Sequence, residues 1–248
     1  MMMKKIATYS ILPMLAIFLM VLYGFTKERN GRKKIKEIEV EFEAGSNPFL
    51  THEAVNKLLI QSQVTVKNQS KRIIDLHGLE KQVLANPYVK EATVSITLEG
   101  LLKTQITQKE PVARIISGKE VYYVDNKGAK IPLSENFSAR VPLIKGVDLE
   151  QDVQEITELI SLIINDDFLN KEIVSIQKMK NNEYIFNVRS GDYTINFGTF
   201  SDVNTKKKKL KAFYNKALKD KTINKYKVIN VKYHNQVVCT KEDQDGKQ

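Results

Sequence analysis

Ile6 to Phe25 is a run of 20 residues without a charged side chain, and nothing else in the chain limits its possible folds as strongly. A helix needs about 20 predominantly apolar residues to cross the hydrocarbon core of a bilayer. Pro13 and Gly24 lie within the run, and membrane helices tolerate both better than soluble helices do. Tyr9 and Tyr23 stand near its ends, where amphipathic rings favour the headgroup level. The expectation is a single transmembrane helix at residues 6–25 after a short N-terminus at residues 1–5. A cleaved signal peptide competes, but it would have a shorter apolar core followed by an Ala-x-Ala-like site. Gly24-Phe25-Thr26 is a poor approximation to that site.

The net charge of +10 looks at first like a nucleic-acid signal. Residues 1–36 alone carry +7 of it, with Glu28 as their one acid, so residues 37–248 carry only +3. The excess therefore lies beside the apolar run. Residues 26–36 read as a basic, solvated linker close to anionic headgroups, each basic residue near the surface contributing about 1 kcal/mol. Counted alone, these charges would keep the C-terminal bulk in the cytoplasm.

Beyond the linker the pattern is that of ordinary cores. Ile38, Val40 and Phe42 alternate with glutamates as in a half-buried strand. Thr51 can cap a helix carrying Ala54, Val55, Leu58 and Leu59, and Asp75 can cap a second carrying Leu76, Leu79, Val83 and Leu84. Ala92–Leu98 and Leu102–Ile106 alternate around Glu99-Gly100, a hairpin pattern. After Pro111, Asp125-Asn126-Lys127-Gly128 is another hairpin turn. A helical stripe follows (Leu149, Val153, Ile156, Leu159, Ile160, Ile163, Ile164). Three strand-like runs come next, around Ile173–Ile176, Tyr184–Val188 and Tyr193–Phe197. Ser201 or Asp202 can cap a basic helix reaching Lys219, and Val228–Cys239 reads as a final strand. Residues 241–248 read as a flexible tail.

Chemistry-bearing motifs are scarce. One cysteine excludes an internal disulfide framework and a multi-cysteine metal site. His52, His77 and His234 are too scattered for a short ligand motif, and neither a metal nor a cofactor is expected. Ser175-Ile176-Gln177-Lys178 matches the S-x-x-K of penicillin-binding enzymes, but it falls in a strand-like run, whereas the chemistry needs one helical turn. Asp166-Asp167 read as solvated loop acids. Lys206–Lys209, Lys211, Lys216 and Lys219 read as a solvated helix face, with an acidic protein or anionic lipid as the alternative contact. No enzymatic activity and no nucleic-acid partner are expected.

Several stretches together resemble the bacterial cell-division family FtsQ/DivIB. Ile38-Glu39-Val40 and Thr51–Val55 open the likeness. Leu79–Leu84 then leads into Asn86-Pro87-Tyr88-Val89-Lys90-Glu91-Ala92-Thr93-Val94. Glu110-Pro111-Val112-Ala113, Val124-Asp125-Asn126-Lys127-Gly128 and Val141–Gly146 follow in order. Phe197-Gly198 and Ile229-Asn230-Val231-Lys232-Tyr233 complete it. Asn230 and Lys232 stand where the family usually has Asp and Arg, and Glu99-Gly100-Leu101 replaces a common Trp and Pro.

The resemblance implies an α+β chain: one N-terminal transmembrane helix, a POTRA-like domain (βααββ) at 37–111, and a mixed α/β "β domain" at 112–240 ending in an edge strand. It implies an inner-membrane protein with its bulk in the periplasm, acting at the division septum. It further implies a divisome scaffold that binds FtsB-like and FtsL-like single-pass partners by strand addition. The residues it points to are Lys232, Tyr233, His234, Val237 and Val238, with Tyr233 as a packed core residue left as the competing reading. Another POTRA-containing envelope protein, in outer-membrane assembly or secretion, is the alternative function.

Overall fold

A computed structural model describes residues 2–45, 47–61 and 66–241; for residues 2–12, 60, 61, 149 and 150 it describes the backbone alone. The expected tail at 242–248 lies outside these residues. The chain divides into two units, Met1–Gln108 and Lys109–Gln248.

The first unit begins with helix α1 (Met2–Gly31), 30 residues and therefore about 45 Å long. From Met14 to Phe25 its large apolar side chains are exposed, from Leu22 at 42% to Met14 and Met20 at 74%. Among the described residues no helix is long and apolar enough to cross a membrane. The side chains of residues 6–12, the start of the uncharged run, lie outside that description.

The basic stretch 26–36 is not the solvated linker that its composition suggests. The helix continues through it to Gly31, with Arg32 Nε pairing Glu28 at 3.0 Å. The following residues are stitched to the unit by backbone hydrogen bonds. Ile35 N–H donates to Gln69 O, Asn68 N–H to Ile35 O, Lys71 N–H to Lys33 O and Lys36 N–H to Gly100 O, each at 2.9 Å. Ile35 itself is fully buried. A segment whose backbone polar groups are paired and whose one apolar side chain is in the core cannot behave as a tether.

Strand β1 (Glu37–Phe42), helices α2 (His52–Gln61) and α3 (Leu76–Leu84), and strands β2 (Val89–Ile96) and β3 (Leu101–Gln108) complete the unit. The sheet order is β1-β3-β2, with β1 parallel and β2 antiparallel to β3. The caps read from sequence are present: Ala54 N–H donates to Thr51 Oγ1 at 3.2 Å and Gly78 N–H to Asp75 Oδ1 at 3.0 Å. Val40, Val55, Leu59, Leu79, Val83, Val94, Leu102 and Ile106 share one buried cluster.

The second unit runs β4 (Ala113–Ser117), β5 (Glu120–Val124), β6 (Lys130–Ile131), β7 (Leu143–Lys145), α4 (Leu149–Ile164), α5 (Asp167–Glu172), β8 (Ile173–Lys178), β9 (Tyr184–Val188), β10 (Thr194–Gly198), α6 (Val203–Lys219), β11 (Tyr226–Asn230) and β12 (Val238–Lys241). Among the described residues these strands make a nine-stranded sheet, β12-β11-β10-β9-β8-β7-β4-β5-β6. β4/β7, β7/β8 and β10/β11 are parallel neighbours. Parallel neighbours require a long crossover; β5, β6 and the loop to β7 supply the first, α4–α5 the second and α6 the third.

One transverse row accounts for the core. Tyr122, Ile115, Ile144, Ile176, Phe186, Ile195, Ile229 and Cys239 are successive register partners across the sheet. All lie in or against one apolar cluster that also takes Ile156, Leu159, Ile160 and Ile163 of α4 and Leu210 and Tyr214 of α6. The adjacent row, Arg114, Leu143, Ser175, Asn187, Thr194, Val228 and Thr240, faces the other way. From β7 to β12 that is the period-two pattern of a sheet covered on one face; at the other end the same row continues into Tyr123 and Ile131, both buried.

Candidate functional site

The C-terminal hairpin is where the structure departs most from the expected strand. Val228–Cys239 is not continuous. β11 ends at Asn230, β12 begins at Val238, and residues 231–237 form an irregular connection. Val231 N–H still pairs Asn196 O at 3.0 Å, the last rung of the parallel β10–β11 ladder, and its side chain is fully buried. Two features then break the run. Asn230 Oδ1 accepts from Lys232 N–H at 3.1 Å, an Asx turn that mimics a backbone turn. Lys209 Nζ of α6 then donates to the carbonyls of Val231 (3.0 Å), His234 (3.2 Å) and Tyr233. Carbonyls gathered around one ammonium are bent away from a strand ladder.

The residues indicated by sequence are therefore divided. Lys232, Tyr233 and His234 lie in the connection and are exposed; Val237 is half-buried against the core; Val238 opens β12 and is 42% exposed. Tyr233 is 44% exposed, so the core-packing alternative does not hold. Its ring lies 5.7 Å from Lys232 Nζ, which also pairs Glu183 at 3.4 Å. Lys232, Tyr233 and His234, but neither Val237 nor Val238, line a cleft of about 340 Å³ with Lys206, Lys209 and Glu183.

β12 pairs antiparallel with β11 and is the outermost strand on that side among the described residues. Cys239 faces the core opposite Ile229, and burial pushes its thiol pKa up. Val238 and Thr240 project from the opposite face, exposed. An outermost strand offers a row of backbone N–H and C=O groups to an added strand.

Helix α6 is not simply a solvated basic face. Lys206 is only 4% exposed, donates to Thr199 O at 2.7 Å and sits 5.3 Å from the Phe197 ring. Burial lowers its pKa, with Asp202 opposing. Lys207 and Lys211, one turn apart, reach Asp166 Oδ2 at 3.4 and 2.7 Å. Asp166 is no loop acid either. It is 5% exposed and caps α5, accepting from Phe168 and Leu169 N–H at 3.2 Å. Burial alone would raise its pKa, but Lys211, the Leu169 N–H and Lys207 outweigh that and hold it low.

Behind this contact, Tyr193 donates to Tyr214 at 2.8 Å, and both hydroxyls reach the Glu172 carboxylate, at 3.2 and 3.4 Å. Burial foremost raises both phenols. The S-x-x-K residues serve elsewhere. Ser175 Oγ accepts from Asn187 at 2.7 Å, while Lys178 Nζ reaches Asp152 and Glu155 of α4 at 2.8 and 2.9 Å. The sequence suggested solvated roles for Lys209 and Asp166 and did not single out Thr240. Only Asp166 left a usable trace, as an acid before Phe168-Leu169, the N-terminal signature of a helix.

A family model described as FtsQ/DivIB, C-terminal related, matches residues 110–240, more than half of the chain. The chain belongs to the FtsQ/DivIB family. The match opens at the boundary between the two units and closes inside β12, so the whole sheet up to Thr240 is the family's region. Among its relatives is the cell division protein FtsQ of Salinibacter ruber (strain DSM 13855 / M31), 33% identical over 72 residues. That alignment covers 28% of this chain and 28% of the Salinibacter protein.

Proposed function

We propose that this FtsQ/DivIB member is a non-enzymatic scaffold of the bacterial division machinery. α1 anchors it in the cytoplasmic membrane, the bulk lies on the periplasmic side, and the chain gathers at the septum. The first unit is a POTRA-like domain, a reading supported by its strand-helix-helix-strand-strand order. The outer edge of β12 receives an extended segment of an FtsB-like or FtsL-like single-pass protein, with Tyr233, Val238 and Thr240 beside the added strand.

The observation that carries this reading is the position of β12, outermost in a sheet whose family membership is established. Main-chain pairing would supply affinity and the alternate side chains specificity. A photo-crosslinking residue placed at Val238 or Tyr233 in living cells tests it. The expected adduct is a short, single-pass coiled-coil protein. Adducts confined to an outer-membrane assembly or secretion protein, or no adduct from either position, would overturn it.

A further inference from the structure

We propose that the basic rim at the foot of α1, formed by Lys27, Arg29, Arg32, Lys34 and Arg72, is a docking surface for anionic phospholipid headgroups. It rests on the membrane-anchor reading above and adds to it a lipid class and a geometry.

Two of these charges, Lys27 and Arg29, lie at the depth of the headgroups. Phe25 is the last exposed apolar residue of the helix. Lys27 and Arg29 follow at about 3 and 6 Å along the axis, and about 200° apart around it. The polar layer on each side of a bilayer is about 5–7 Å thick, so both charges fall within it and on opposite sides of the helix.

The rim is also held in place. Ser70 Oγ donates to Gly31 O at 2.6 Å, Arg72 N–H donates to the same carbonyl at 3.2 Å, and Lys71 Nζ binds Asn30 Oδ1 at 3.2 Å. Two lysines are committed to this joint rather than to lipid. Lys71 Nζ binds the Thr97 and Leu98 carbonyls at 2.6 and 3.0 Å, and Lys33 Nζ binds Leu98 O at 3.1 Å. The nearby acid is already neutralised: Glu28 is shared by Arg32 at 3.0 Å and Arg72 at 3.3 Å. Lys27, Arg29 and Lys34 remain exposed on a fixed surface, complementary in charge to a phosphodiester headgroup.

The test reconstitutes the full chain in nanodiscs of equal phosphatidylglycerol and phosphatidylcholine and weighs the lipids it retains by native mass spectrometry. Phosphatidylglycerol is expected in about fivefold excess, the ratio for roughly 1 kcal/mol per headgroup contact. Combined Lys27→Gln, Arg29→Gln and Lys34→Gln should return the ratio to near one. Combined Lys208→Gln, Lys216→Gln and Lys219→Gln, which removes equal charge from α6, should leave it unchanged. Equal retention by the unaltered chain, or equal losses in both variants, overturns the docking surface alone. A chain that enters no disc of either lipid overturns the anchor as well.

Discussion

Lys209 Nζ lies 3.0 Å from the Val231 carbonyl, so the crossover helix α6 holds the chain where β11 ends. Two further carbonyls of the connection share that ammonium, and charge-assisted bonds of this kind contribute about 1.5–3 kcal/mol. Lys209→Met should cost about 2 kcal/mol of stability and speed amide exchange across residues 231–237. Partner crosslinking from Val238 should fall with it. Unchanged exchange in that segment would show that the ammonium does not organise the hairpin.

Asp166 combines an N-cap with two ion pairs at a site that is almost fully buried. Losing the cap costs about 1 kcal/mol; breaking a fully buried pair costs about 3–5, reduced here to about 2–3 because Lys207 and Lys211 are 28% and 44% exposed. Asp166→Ala should therefore be destabilised by about 3–4 kcal/mol in urea unfolding. Asp166→Asn, which still caps, should lose less. Equal losses would assign the whole effect to the ion pairs and none to the cap.

The same carboxylate sets the response to acid. The pKa values of Asp166 and Asp152 are both held below the ordinary carboxylate value. For Asp152, burial opposes while Lys178 and the Asp148 N–H prevail. A depressed folded pKa gives stability that is complete above the unfolded value, about 3.9, and fades as pH falls through the folded one. Thermal stability should be level from pH 7 to 5 in this respect and drop below about pH 4. The drop should be shallower in Asp166→Asn, and a parallel drop would exclude Asp166 as its source.

Gly198 ends β10 at φ +72°, and a Cβ there would lie 2.6 Å from Lys232 Cβ. Left-handed backbone costs a non-glycine residue about 1–3 kcal/mol, and the clash presses on the hairpin connection. Gly198→Ala should lose at least about 2 kcal/mol and weaken crosslinking from Tyr233. A loss below about 0.5 kcal/mol would mean that the connection yields freely.

Lys178 is 9% exposed between two acids of α4. Lys178→Met leaves Asp152 and Glu155 without their shared cation and should cost about 2–4 kcal/mol. Adding Asp152→Asn should recover part of this, a coupling measurable in a double-mutant cycle. Strict additivity would deny the pairing.

The elements with clean periodicity were legible: β1, α2, α3, the β2–β3 hairpin, α4, β9 and α6 lie where the apolar spacing places them, and Thr51 and Asp75 cap α2 and α3. The cap expected for α6 fails: Asp202 is left-handed (φ 48°) and its side chain makes no capping hydrogen bond. β4 and β7 were not, because five- and three-residue strands among prolines carry too few alternations to register. The lysines of α6 misled for a different reason. Composition counts charge, whereas Asp166 and the Val231 carbonyl, distant in the chain, and Thr199, just before the helix, turn those charges inward. The break after Asn230 was hidden by Val231, Val237 and Val238, whose branched side chains suggest a strand that Lys209 prevents. Stretch 26–36 read as a tether because its basic residues conceal Ile35, the one side chain that anchors it.

The strand order has a consequence for biosynthesis. From β8 to β12 each strand lies beside the one made just before it, so the sheet can grow outward as the chain emerges. β11 has no place until α6 has crossed over and β10 is laid down, and β12 has none until β11 is set. The outer edge of β12 is thus the last part of the sheet to be laid down. A stalled copy would end instead in the unpaired edge of β10 or β11, the kind of exposed ladder that invites aggregation.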